Sequence, residues 1–320
     1  MSRRVLIVQF THPGGEYAVS HKELVNGVKE WNYGPHRRKF LKTVGQYVMD
    51  NGSLSLKQDL LFWGEWEPTS KILPVSNVVG NGVVPKYVHE PFLQKDTSGL
   101  FLPPYNNGKY VTRKGVKTPL CRQNTDPFVF GDYFLYSVCK QRKKIRNSTL
   151  AEFTQLGELD RGSIILFGST ISKKQGGPYF VLDAVFVVGD YKAYHSKNAP
   201  SDLSGFVPND YCDLMGFVHW NPSNDHICYK GATVSNPING MFSFVPCKPC
   251  SSGDIGFPRV ILTNSDMTII SDDLISDNLN AAPKLSNTTN INPTSCWKQI
   301  CNIVKQQGFE LGVNFEYQYL

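Results

Sequence analysis

No stretch of this chain approaches the roughly 20 consecutive apolar residues that span a bilayer, so no helical membrane anchor is expected. The apolar run near the start, Val5 to Val8, is too short for the core of a signal peptide. The sequence also lacks G-x-G-x-x-G, the P-loop G-K-[ST], H-E-x-x-H and G-x-S-x-G. Those absences argue against dinucleotide enzymes, P-loop NTPases, zincins and α/β-hydrolases. Charge is modest: 19% of residues are Asp, Glu, Lys or Arg, and the net charge of +6 permits an anionic partner without requiring one. There is no internal repeat, and nothing marks a clean domain boundary.

What is present points to strands. Aromatic residues make up 12% of the chain, with 15 Tyr and 19 Phe, while 27 Gly and 20 Pro imply many turns. A chain of 320 residues can bury a substantial core, read here as a single globular unit over 1–320. With no signal segment the expected setting is cytoplasmic, where the eight Cys would be free thiols or metal ligands rather than disulfides. No membrane partner is expected, and the sequence does not specify an oligomeric state.

The stretch Thr125 to Asp190 carries the clearest pattern. Ser163 to Gly168 and Tyr179 to Val188 are apolar runs rich in β-branched and aromatic residues. They are bounded by Asp160-Arg161-Gly162, by Lys173 to Pro178 and by Gly189-Asp190, as the buried strands of a hairpin would be. Continuous apolar character implies burial on both faces, as in the wall of a small closed sheet. The order of a polar turn, a strand opening on a small residue and a return strand resembles the PUA-like β-barrels, which include the ASCH and EVE domains. The matching residues are Leu159 to Phe167 and Leu182 to Val187, within about residues 157–190, with Ser163 where that pattern usually has an acidic residue. The resemblance implies a barrel whose pocket receives a base or modified nucleotide, in a prokaryotic or phage setting of nucleic-acid modification or defence.

Along the chain, residues 1–124 read as an α+β part with long loops. It holds a first strand over 3–10, a short helix over 36–49 from Phe40, Val44 and Val48 at i, i+4 and i+8, a strand from Leu60 to Pro68, and another from Lys86 to Leu93. Residues 125–262 form the central barrel-like part, with a helical turn over 150–156 and short strands at 216–220, 241–245 and 260–262. Residues 263–320 are a polar loop, linker-like over 272–294, followed by a helix from Ser295 to Gln307 that buries Trp297, Ile300, Cys301 and Val304 and ends at Gly308.

Candidate chemistry concentrates where polar residues follow strands. His12, His36, Glu65 and Glu67 are the acid–base candidates. Glu16, Arg37, Arg38, Trp63, Asp126 and Asp183 are the candidate ligand contacts. Arg37 and Arg38 could fork onto a phosphate, and Glu65 and Glu67, two apart on a strand, would share a face. The plainer reading is that the Arg–Lys run and these glutamates form a structural ion-pair network. Asp126 before Pro127 could simply form a turn. Asp183 lies inside an apolar run, where an ionised carboxylate needs a partner, so it is either matched to a buried Arg or part of a pocket. The run Lys140, Arg142, Lys143, Lys144, Arg146 beside Tyr133, Phe134 and Tyr136 suits nucleic acid or a solvated loop. His226, Cys228, Cys247 and Cys250 could hold a structural zinc.

The sequence therefore leads to a strand-rich α+β fold with a central PUA-like β-barrel and a few peripheral helices. The expected function is recognition or processing of a nucleotide or modified base, possibly within nucleic acid. The alternative is a hydrolase or transferase using His/Glu acid–base chemistry on a small phosphorylated substrate.

Overall fold

The computed structural model describes residues 3–12, 15–16, 24–25, 27–29, 38–95, 97, 101–102, 110–113, 116–119, 125–145, 147, 151–171, 179–215, 225–250, 255–263, 284–285 and 292–319. The principal strands are β1 (Ile7–Thr11), β2 (Lys39–Val48), β3 (Gln58–Gly64), β4 (Ser70–Pro74), β5 (Tyr87–Lys95), β6 (Leu135–Tyr136), β7 (Ile164–Ile171), β8 (Tyr179–His195), β9 (Asp225–Gly231), β10 (Val245–Pro249), β11 (Val260–Thr263) and β12 (Glu310–Val313). Helices α1 (Ala199–Asp202) and α2 (Tyr211–Met215) are short, and α3 (Pro293–Gln306) is the long one. The fold is strand-rich α+β. Among the described residues, no helix is long and apolar enough to cross a membrane.

The strands form two main sheets. In the first, the order is β6-β9-β8-β7-β1, with β11 also paired to β8 and Lys284–Leu285 on the outer edge of β1. The second contains a closed ring in which β2 pairs β3, β3 pairs β10, β10 pairs β12 and β12 returns to β2, every pairing antiparallel. Closure removes the unpaired edges that a short open sheet would expose. The barrel is thus built from strands near both chain ends, and the β7–β8 hairpin lies in the neighbouring sheet. Both faces of that hairpin are buried because alternate side chains enter different cores. Ile165 and Phe167 join one apolar cluster with Phe10, Phe62 and Tyr136, while Ile164 and Leu166 join another with Phe40, Trp63 and Ile300.

Several expectations change. The helix expected over 36–49 does not form in its described part, residues 38–49: Lys39–Val48 is strand β2. Spacings of four and eight are also even, so Phe40, Val44 and Val48 fit one face of a strand equally well, and the flanking ladder to β3 decides for it. Gly189-Asp190 is not a turn. β8 runs through it to His195 with a register shift between Val188 and Asp190, and a Cβ on Gly189 would lie 2.7 Å from the Ala232 nitrogen. Residues 151–153 form a strand before the 3₁₀ turn Gln155–Gly157. The strand expected over 216–220 lies outside the described residues, as does most of the polar segment 272–294. Within that segment, Lys284–Leu285 pairs with Val8 and Gln9. Helix α3 forms as expected, with Asn292 Oδ1 accepting from the Thr294 and Ser295 amides and Gly308 closing it at φ 77°.

Candidate functional site

Two registers bring the polar residues together. Pairing of Lys39 with Gly64 sets Arg38 and Glu65 side by side at the mouth of the β2–β3 ladder. In the other sheet, Phe167 pairs Ala184 but Gly168 pairs Leu182, so Asp183 is the extra residue of a β-bulge. A bulge bends its strand and re-aims a side chain. Glycine is required opposite it, because a Cβ on Gly168 would lie 2.1 Å from the Val181 carbonyl oxygen. The Gly168 carbonyl also accepts the His12 amide at 2.7 Å, which fixes His12 at the end of β1.

The result is a buried chain of charges. Arg38 is 1% exposed; its Nη1 lies 2.8 Å from Glu65 Oε1 and its Nε 2.6 Å from Asp183 Oδ2. The His12 Nδ1 lies 2.7 Å from the same Glu65 oxygen. Because an ionised carboxylate only accepts, Nδ1 carries the proton and Nε2 is left as the basic nitrogen. Burial pushes the His12 pKa down to about 4 against the opposing pull of Glu65, with Arg38 and Lys140 adding to the downward shift. At neutral pH the imidazole is uncharged. Arg259, just before β11, completes the chain: its Nη1 lies 3.5 Å from Asp183 Oδ1 and 3.1 Å from Ser169 Oγ. The pKa of Asp183 is raised, with burial outweighing the two arginines. With Arg38 and Arg259 facing Glu65 and Asp183, the ionised network is neutral overall.

Three of these groups border a cavity of about 10 Å³, enough for the centre of one water molecule. Arg38, Glu65 and Asp183 form its polar side, and Phe62, Val129 and Val245 its apolar side. The Arg38 Nη2 has no hydrogen-bonding partner among the described residues. Trp63 also lines the cavity, but its ring is not open for stacking. It is buried between Phe40 and the Arg259 guanidinium, 5.0 Å from the ring centroid, with Nε1 donating to the Phe257 carbonyl at 2.8 Å.

Other candidates fall elsewhere. Glu67 is matched to a different cation, Lys39 at 3.4 Å, so the two glutamates do not act as a pair. Strand β3 ends at Gly64, before either of them. Glu16 accepts the Lys86 and Tyr87 amides at 2.8 and 3.2 Å and ties down that loop; burial raises its pKa. Asp126 does not act as a local turn former: it is fully buried and ties down a segment 11–13 residues further on. Its carboxylate accepts from the amides of Ser137, Val138 and Cys139 at 2.8–3.0 Å. Burial nevertheless raises its pKa to about 6. His36 and Arg37 lie outside the described residues. Arg38 is enclosed by carboxylates and does not present a fork to solvent phosphate.

Of the basic run, Lys140, Arg142 and Lys143 have partners within the molecule. Lys140 donates to the Thr11 carbonyl, Arg142 donates to the Asp225 and Ala151 carbonyls and covers Phe153, and Lys143 pairs with Glu152. Arg146 and the side chain of Lys144 are not among the described parts. The four proposed zinc ligands are not gathered: His226 and Cys228 lie on β9, Cys247 on β10 and Cys250 just after it. Among the described residues, no three His, Cys, Asp or Glu side chains are placed to hold a metal ion. Burial pushes the Cys228 and Cys247 thiols well above their ordinary pKa, and seven described cysteines are free thiols.

Sequence reasoning passed over Arg259 and Gly168. Gly168 had a signal, a glycine inside a strand pattern, which often marks a bulge. Arg259 had none beyond the need of Asp183 for a cation. No protein-family model matches this chain, and no curated protein or solved structure shows significant similarity to it.

Proposed function

We propose that this protein recognises a nucleotide or modified base and that the His12–Glu65–Arg38–Asp183 network is the polar end of its site. The observation that carries this reading is the convergence of Arg38, Glu65 and Asp183, from segments far apart in sequence, on one cavity, with the neutral His12 hydrogen-bonded to Glu65 behind them. Buried, strongly perturbed ionisable groups clustered beside a cavity are a functional-site signature. Guanidinium donors beside carboxylate acceptors also match the mixed donor and acceptor edge of a base. Because the cavity has room for only one water, an edge atom of the ligand would take that place while the ring lies outside. The resemblance of residues 157–190 to PUA-like barrels motivates the same reading, although the closed barrel of this fold is made by other strands. A cytoplasmic protein acting in nucleic-acid modification or defence fits this proposal.

The competing account is a purely structural network that ties the two sheets together. Calorimetric titration with nucleosides, nucleotides and base-modified oligonucleotides separates the two. Glu65→Gln removes the shared carboxylate charge, and His12→Gln replaces one neutral side chain by another should the first variant fail to fold. The proposal expects at least tenfold weaker binding in a variant whose circular dichroism is unchanged. Undiminished affinity in folded His12→Gln and Glu65→Gln would leave the network structural.

A further inference from the structure

Lys140 stands beside His12 in a backbone conformation that lysine rarely adopts. Its φ is 57°, in the left-handed region where a residue with a Cβ is strained. The turn is imposed from both sides. Before it, the Asp126 carboxylate holds the amides of Ser137, Val138 and Cys139. At the turn, Thr154 Oγ1 donates to the Lys140 carbonyl at 2.8 Å. After it, the Gln141 side chain donates to the Ile227 carbonyl at 2.6 Å and accepts the Ile227 amide at 2.9 Å. Backbone strain held in place by surrounding contacts recurs at functional sites.

The Lys140 side chain runs from this turn back to the end of β1. Its ammonium lies 4.9 Å from the centre of the Phe10 ring and donates to the Thr11 carbonyl, next to His12. Partial burial there lowers the Lys140 pKa and Arg38 lowers it further, while the Cys139 thiol opposes both. The Lys140 charge in turn helps to keep His12 neutral. Among the described residues no carboxylate pairs with Lys140. The residue stays exposed, and beyond the N–H given to Thr11 its ammonium has two more without a partner among the described residues. Glu65 and Asp183 balance Arg38 and Arg259, so Lys140 adds a charge that the network does not cancel.

Resting on the nucleotide-recognition reading, we infer that Lys140 is the specificity-determining residue for a phosphate on the ligand, so that the site prefers a nucleotide to its nucleoside. The ammonium meets a phosphate oxygen while the buried network meets the base. A lysine is a compact point charge and binds phosphate without the fork geometry that Arg38 has already spent on carboxylates. Its partial removal from water over Phe10 strengthens the attraction. Arg142 and Lys143, further along the same run, already have partners and are less suited to the role. The phosphate of a free nucleotide and the diester of a nucleic acid offer the same oxygen to this group.

The test is calorimetric titration of guanosine, adenosine, cytidine and uridine, their 5′-monophosphates and the matching dinucleotides into wild type, Lys140→Gln and Lys140→Gly. Thermal melting checks that each variant is folded. Glycine adopts a φ of 57° without strain, so Lys140→Gly removes the ammonium and keeps the turn should Lys140→Gln fail to fold. The inference expects wild type to bind at least one monophosphate or dinucleotide at least tenfold more tightly than the nucleoside. The folded variants should lose that preference and hold the nucleoside as wild type does. A preference confined to monophosphates assigns the phosphate to a free nucleotide, and one that extends to dinucleotides assigns it to nucleic acid. Equal binding of nucleoside and nucleotide to wild type overturns the role of Lys140 and leaves the nucleotide reading standing. So does a preference that survives in the variants, or an equal loss of nucleoside and nucleotide binding in them. Absence of any binding to wild type overturns both.

Discussion

Arg38 is the residue on which the site depends, because it touches both Glu65 and Asp183. Removing one partner of a buried ion pair strands the other charge, at a cost of about 3–5 kcal/mol. Arg38→Met should therefore lower the urea-derived stability by about that amount, and a loss below 1 kcal/mol would mean the carboxylates are not ionised there. His12 gives a pH signature. Its pKa falls from 6.5 to about 4 on folding, so the unfolded chain binds more protons between those values and stability is lost as pH falls through them. Asp126, raised to about 6, acts in the opposite sense over much of the same range, so the total slope is a poor guide. The difference between wild type and His12→Gln isolates the histidine. Wild type should lose up to about 3 kcal/mol relative to that variant between pH 6.5 and 4. Parallel pH–stability curves would show that His12 titrates normally. Residue types alone pointed to His12, Arg38, Glu65 and Asp183 as candidates. Which cation meets which carboxylate was hidden, because the answer lies in strand register and not in local sequence. Glu67 shows it: two residues from Glu65, it is matched to Lys39 instead.

The β7–β8 hairpin was visible in its apolar runs and turn residues, whereas β2 was not, since an i, i+4, i+8 stripe satisfies a helix and a strand face alike. Tertiary pairing with β3, β5 and β12 settles it. The bulge at Asp183 is the element that turns a buried hairpin into part of a site. Gly168→Ala would put a methyl group 2.1 Å from the Val181 carbonyl oxygen and 2.5 Å from the Phe180 ring. Backbone must move to admit it, and the expected destabilisation is about 2–4 kcal/mol, read from denaturant midpoints. The same shift should disturb His12, whose amide donates to Gly168. A stable Gly168→Ala protein with an unchanged His12 environment would remove the bulge from the account. On α3, Ile300→Ala should cost about 2–4 kcal/mol by the loss of buried apolar volume, with binding unaffected.

Closure of the barrel joins the two ends of the chain. β12 is contributed by residues 310–313 and seals the ring between β2 and β10, which no reading of local pattern could have placed. A chain ending at residue 307 should therefore lose its cooperative thermal transition, while one that melts like the full-length protein would show the ring to be dispensable. If the ligand lies within duplex DNA, binding should also weaken with salt at a log–log slope near −0.9 per phosphate contacted. The most direct measurement follows the ring nitrogens of His12 in protein carrying ¹⁵N-labelled histidine during titration with nucleosides and nucleotides. The account expects a protonated Nδ1 throughout and a saturable shift at Nε2 as the ligand binds. A nucleoside or nucleotide that binds while both His12 nitrogens stay unmoved, or no binding at all, would contradict it.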